Sequence, residues 1–197
     1  DPTDKIGLAG MTGAVMRTGG GGGLSAEQVD AELEQFAADV SIGIGRQSGS
    51  ASLDVLSKDV KRGLEIFAGL IRTPAFDPAR VELVKLQAIE GIRRRQDNPG
   101  SIVGREFAKM LYGAAHPSAR ESSLDSVTRI TRDDLVTFHH NTIHPIGMIL
   151  GVTGDFKRDE MVASLRTVFG NWKKGTVPEL RIVDVPEAEL SRPVIRF

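Results

Sequence analysis

The feature that most narrows what this chain can become is a change of period. Apolar residues Leu8, Met11, Val15 and Met16, and then Val29, Leu33, Phe36 and Ala37, recur at helical spacing. From Val40 to Leu56 the spacing drops to two: Val40, Ile42 and Ile44 share one side, and Ser48, Ser50 and Ser52 then alternate with Ala51, Leu53 and Val55. This predicts two strands with a turn near Arg46 to Gly49. From Asp59 the helical spacing returns through Leu64, Phe67, Ala68 and Ile71. Strand pairs set between helical blocks predict an α+β fold, with a mostly antiparallel sheet and helices packed on one face.

Local signals punctuate these blocks. Ser25 with Gln28 forms a capping box ahead of the second helix, and Thr131 with Asp134 forms another. Asp77-Pro78 is an N-cap followed by proline at the first helical position, opening a long helix through Val81, Val84, Leu86, Ile89 and Ile92. Asp97-Asn98-Pro99-Gly100 breaks it. Shorter helices are expected around Ile102 to Leu111, Ser123 to Val127 and Thr131 to Asn141, and another carries Met161, Leu165, Val168 and Phe169. Met148 to Thr153 reads as a compact strand running into Gly154-Asp155. Five consecutive glycines, Gly19 to Gly23, stop the first helix and read as a flexible connector. They lack the Lys-Ser/Thr of a phosphate loop. After Trp172 the residues Gly175, Pro178 and Pro186 mark a linker, with 181–185 and 193–197 as further candidate strands.

Composition excludes several classes. The 197 residues suffice for one full domain and would cramp two. Lys and Arg number 25 against 26 Asp and Glu, a net charge of −1, so no electrostatic argument favours nucleic acid or an anionic membrane. The absence of cysteine removes disulfides, thiolate zinc sites and cysteine nucleophiles together, and leaves the compartment open. No apolar run approaches the roughly 18 to 20 residues that span a bilayer. The opening Asp1-Pro2-Thr3-Asp4-Lys5 has no apolar signal-peptide core, and a start without Met reads as a processed or excised product.

Several phrases in a fixed order resemble the pitrilysin/insulinase family of inverted-zincin metallopeptidases, which includes the mitochondrial processing peptidase. They are Asp59 to Phe76, Asp97-Asn98-Pro99, Leu111-Tyr112-Gly113 with His116-Pro117, Ile130 to Leu135, and Val152-Thr153-Gly154-Asp155. Active members carry His-x-x-Glu-His on a helix, so that two histidines one turn apart reach a single zinc and the glutamate activates its bound water. Matching Gly7-Leu8-Ala9 to the residues before that motif places the first histidine at Gly10, the base at Gly13 and the second histidine at Ala14. None of the three can bind a metal. The family's later glutamate ligand falls at Glu90, where a lone carboxylate does not hold zinc, and the plain reading is a solvated helix residue.

The resemblance implies a catalytically inactive pitrilysin-like domain with no cofactor and no catalytic residue. Such subunits pair with an active zinc-bearing homologue, forming a chamber and contributing surface for an extended peptide. It also implies a peptidase-like domain over residues 1–174 that lacks its first strands. Residues 175–197 would then lead towards a second homologous domain. A purely structural scaffold is the alternative, and a hydrolase with an unrecognised site a more distant one. His140 and His144, with His139 beside them, could share a metal by spacing, but Pro145 ends the helix there, and a histidine-rich C-terminus suits the helix dipole. Arg93, Arg94 and Arg95 read as a solvated basic face or a substrate contact.

Overall fold

The computed structural model describes residues 1–176 and residue 183. The candidate strands at 181–185 and 193–197 lie outside them, apart from Val183. Among the described residues, eight α-helices and one β-hairpin follow in the order α1 (Leu8–Thr18), α2 (Ala26–Gln35), β1 (Asp39–Ile44), β2 (Gly49–Asp54), α3 (Val60–Arg72), α4 (Pro78–Arg93), α5 (Pro99–Tyr112), α6 (Leu124–Thr128), α7 (Arg132–Thr142) and α8 (Arg158–Phe169).

The expected hairpin is present. β1 and β2 pair antiparallel from Asp39 opposite Asp54 to Ile44 opposite Gly49, and Gly45 N–H donates to the Ser48 carbonyl across the turn at 2.8 Å. Both capping boxes form, at Ser25–Gln28 and Thr131–Asp134, and Asp77 accepts from Arg80 N–H ahead of Pro78. α4 runs out through a 3-10 turn at Arg94–Gln96, and Asn98 caps the next helix, accepting from Ser101 N–H at 3.0 Å. α2 is shorter than its apolar pattern: it stops at Gln35, and Ala37 takes a left-handed φ of 47° and turns out to solvent. In α4, Val81 and Val84 are buried while Leu86 is 62 % exposed, so the inward face is narrower than its hydropathy implies.

Two apolar clusters hold these elements together. One gathers Met11, Val15 and Met16 of α1 with Val81 and Val84, Val127, Ile130 and Leu135. The other gathers Val29, Leu33, Val40, Ile66, Phe67, Leu70 and Ile71. Ile42 of β1 packs against both, so the hairpin is the wall they share. α5 has no buried residue. Its surroundings are tied by charge: Glu121 takes Arg95 at 2.8 Å, Lys109 at 2.7 Å and Arg105 at 3.5 Å. Burial pushes the Glu121 carboxyl up, but the hydrogen bond and charge of Lys109, with Arg95 and Arg105, outweigh it and leave it below the usual carboxylate value.

The five-glycine run is not a floppy connector. Gly22 N–H donates to Thr73 O at 3.1 Å, Ala75 N–H to Gly20 O at 2.9 Å and Asp77 N–H to Gly19 O at 3.2 Å, sewing the run to the α3–α4 junction. Gly20 and Gly22 take left-handed φ values of 78° and 62°, which is where glycine is needed. Backbone meets backbone here: a Cβ on Gly69 of α3 would lie 2.8 Å from the Gly22 Cα. Gly69→Ala is therefore expected to destabilise the protein by about 1–3 kcal/mol. Gly91→Ala, where a Cβ meets nothing within 4 Å, should gain up to about 1 kcal/mol from helix propensity. Urea denaturation of the two variants measures the contrast.

Candidate functional site

Gly10, Gly13 and Ala14 lie at i, i+3 and i+4 on α1, one turn of a single face. Gly10 is exposed, and a Cβ there would meet nothing within 4 Å. Gly13 is buried: its Cβ would sit 3.0 Å from Ile44 N and 3.2 Å from Ile44 Cγ1. Ala14 is half-buried and packs against the first apolar cluster. Glu90, near the end of α4, is 48 % exposed at its side chain and accepts from Arg94 Nε at 2.7 Å, with Arg93 at 4.0 Å. A zinc site needs at least three protein ligands, and these positions offer one carboxylate already engaged by arginine. The residues present do not fit the ion. Among the described residues, no group of three or more His, Asp or Glu could hold a metal.

The histidines do not converge. His139 points back into the fold and donates from Nε2 to the Ile71 carbonyl at 2.7 Å, edge-on to Phe76 at 5.8 Å. His140 is exposed beside Asn141, and His144 lies beyond the end of α7. Arg93 and Arg94 are solvated on Glu90, whereas Arg95 turns inward to Glu121 and donates to the Ser122 carbonyl at 2.8 Å. The basic run thus splits between a surface pair and a structural tie.

What the structure does bring together is an apolar groove of about 950 Å³. Ile42 and Ile44 of the hairpin, Phe67, Leu165, Phe169 and Trp172 line it. Its α8 wall is latched by Arg72, which donates to the Val168 carbonyl and to Asn171 Oδ1 at 2.7 Å and lies 5.8 Å over the Trp172 ring. On the opposite rim runs 143–150. Met148 to Thr153, expected as a strand, has no ladder partner and forms none; Ile149 is 98 % exposed. A strand exists only by pairing its backbone, and no described strand lies beside this one.

The hairpin has two edges, and they differ. Gly45 and Ser48 are a hydrogen-bonded pair, so alternation directs the backbone groups of Val40, Ile42 and Ile44 away from β2, and those of Gly49, Ala51 and Leu53 away from β1. On the β1 side, α1 runs along the edge: Arg17 Nε donates to the Val40 carbonyl at 2.7 Å, and Gly13 abuts Ile44 N. On the β2 side no described strand pairs. Gly49 to Ala51 reach the groove. The alternating serines marked β2, but nothing in one chain's spacing could say which edge is covered.

Comparison with known proteins agrees with this architecture. A model described as the peptidase M16 inactive domain matches residues 129–197. The solved peptidase M16 inactive domain from Pseudomonas fluorescens superposes with a TM-score of 0.75 at 28 % identity, over 88 % of this chain and 43 % of that one. The chain resembles the pitrilysin-like domains of the peptidase M16 family. It also resembles an uncharacterized zinc protease of Mycobacterium leprae, 32 % identical over 119 residues, 59 % of this chain and 26 % of the relative. The first half of the periplasmic protease PqqL from Escherichia coli shares the fold, with a TM-score of 0.78 at 16 % identity over 94 % of this chain and 41 % of that one. The domain thus spans about a quarter of the mycobacterial relative and under half of the solved chains.

His139 supplies a pH handle on the packing of α7 against α3. Burial holds its pKa below the ordinary 6.5, and the positive fields of His140 and His144 add to this, against the Ile71 hydrogen bond. Below about pH 6.5 the unfolded chain binds a proton that the folded one resists, so stability falls as pH drops through that value. Thermal midpoints measured between pH 7.5 and 5.5 are expected to fall more steeply for the natural chain than for His139→Gln.

Proposed function

We propose that this domain is non-catalytic and holds extended polypeptide along the outer edge of β2, working with an active zinc-bearing homologous subunit that supplies the chemistry. The observation that carries the reading is the pairing of two features. The positions matched to the zinc motif hold Gly10, Gly13 and Ala14, without a ligating atom, while among the described residues no further strand pairs with β2, beside an apolar groove. Backbone groups of Gly49, Ala51 and Leu53 give an incoming chain donors and acceptors without regard to its sequence, and the groove takes its alternate side chains. In this reading residues 175–197 lead towards a second homologous domain, and the two halves with those of the partner enclose a chamber. Residues 1–174 supply wall and binding surface.

A scaffold with no part in proteolysis is the competing reading, and two measurements separate them. Co-purification with zinc-bearing M16 homologues, followed by a peptide-cleavage assay, is expected to give activity greater in the mixture than in either protein alone. No association with any such homologue would defeat the subunit reading. Ala51→Pro removes an N–H directed away from β1, a place where an edge strand tolerates proline. It is expected to weaken capture of an unfolded polypeptide such as reduced, carboxymethylated lactalbumin at least about tenfold, the loss of roughly one or two backbone hydrogen bonds. Ser52→Pro removes an N–H directed into the β1–β2 ladder and is expected to lower the thermal midpoint instead.

A further inference from the structure

The apolar groove beside the hairpin has no carboxylate. Among the described residues neither aspartate nor glutamate lines it, and its only formal charge is Arg166 of α8, with His144 on the far rim. On the reading that this domain holds extended polypeptide, we infer that the groove selects what it holds: it takes bulky apolar side chains against Trp172 and turns basic ones away at Arg166.

The apolar wall is built to keep its shape. Phe67 and Ile71 are buried in the second cluster, and Phe169 and Trp172 pack against that cluster while remaining half-buried. The two aromatic rings stack with centroids 6.2 Å apart at 29°. Arg72 holds them from α3: it donates to the Val168 carbonyl and to Asn171 Oδ1 at 2.7 Å, and its guanidinium lies 5.8 Å from the Trp172 centroid. An aromatic surface fixed from behind and partly open to solvent gains most from a large apolar side chain, which removes water from both partners. The volume of about 950 Å³ leaves room for several side chains.

Charge supplies the other half. Arg166 is exposed on the groove, and no described acidic side chain pairs with it. Lys173 and Lys174, exposed and likewise without an acidic partner among the described residues, follow Trp172 directly. The acids of α8 stand in its first turn, where Asp159 meets Arg158 and Glu160 meets Lys157, at the far end of the helix from Trp172. A lysine or arginine of an incoming chain would give up water to an apolar wall, meet like charge and find no carboxylate to pair with. A glutamate would find a guanidinium to receive it. The occupant is thus an extended segment whose alternate residues are bulky and apolar, with acidic residues tolerated and basic ones disfavoured.

Trp172 is the only tryptophan in the chain, so its emission reports on the groove. Short tryptophan-free peptides alternating serine with leucine, the central leucine kept or replaced by lysine or glutamate, are titrated into the full chain and followed by Trp172 emission and by anisotropy of a dye on the peptide. The leucine peptide is expected to shift the emission to the blue. The lysine peptide is expected to bind at least about tenfold more weakly, with the glutamate peptide between them. Arg166→Glu changes an exposed side chain, so the fold should survive it, and it should reduce the lysine penalty at least about threefold at low salt. Equal affinity for the leucine and lysine peptides, or a lysine penalty that Arg166→Glu leaves unchanged, would overturn the inference. So would Trp172 emission that stays fixed while peptide binds, which would give the groove to another occupant, residues 177–197 or a second copy. Failure to capture any unfolded polypeptide, reduced and carboxymethylated lactalbumin included, would instead defeat the polypeptide-holding reading itself, and the selectivity with it.

Discussion

Much of this domain turns on a place where two backbones touch. Gly21 and Gly22 lie against Gly69, and the hydrogen bonds from Gly22, Ala75 and Asp77 lock the end of α1, the start of α2, the end of α3 and the start of α4 into one junction. Side chains would hold these elements apart. Because the junction fixes where α1 leaves and where α4 begins, it also fixes the angle at which α1 meets the hairpin. Closeness recurs at Gly13 and for the same reason: with no Cβ, a helix can lie against a strand edge.

The consequence for function follows from geometry. α1 buries Met11, Val15 and Met16 into the core, caps the Val40 carbonyl through Arg17 and excludes bulk at Gly13. The hairpin is then covered by α1 on one edge, no further described strand pairs with the other, and beside it lies a groove walled by Phe67, Leu165, Phe169 and Trp172. The proposed holding of a polypeptide there needs no acid, base or metal, since backbone pairing and apolar contact suffice.

Local sequence signals translated well wherever one element decides its own form. The capping boxes at Ser25 and Thr131, the Asp77-Pro78 start and the hairpin turn near Arg46 each use hydrogen bonds within a few residues, so spacing alone reveals them. Failures occurred where a distant partner decides. Met148 to Thr153 has the alternation of a strand but no described neighbour to pair with, and Ile149 stands in solvent. Gly19 to Gly23 has the composition of a loose linker, yet long-range backbone bonds to Thr73, Ala75 and Asp77 order it. His139 looked like one of a cluster and is drawn away from its neighbours by the Ile71 carbonyl.

The sequence by itself determined the α+β class, the family resemblance and the chemical fact that positions 10, 13 and 14 carry no metal ligand, because each depends on residue identity and short-range order. Tertiary structure alone decided that Gly10 faces open space while Gly13 lies close against Ile44, that Glu90 pairs with Arg94, and that α1 runs along β1 while no further described strand pairs with β2. Those are properties of distance between segments far apart in the chain, and residue type does not encode them until packing brings the segments together.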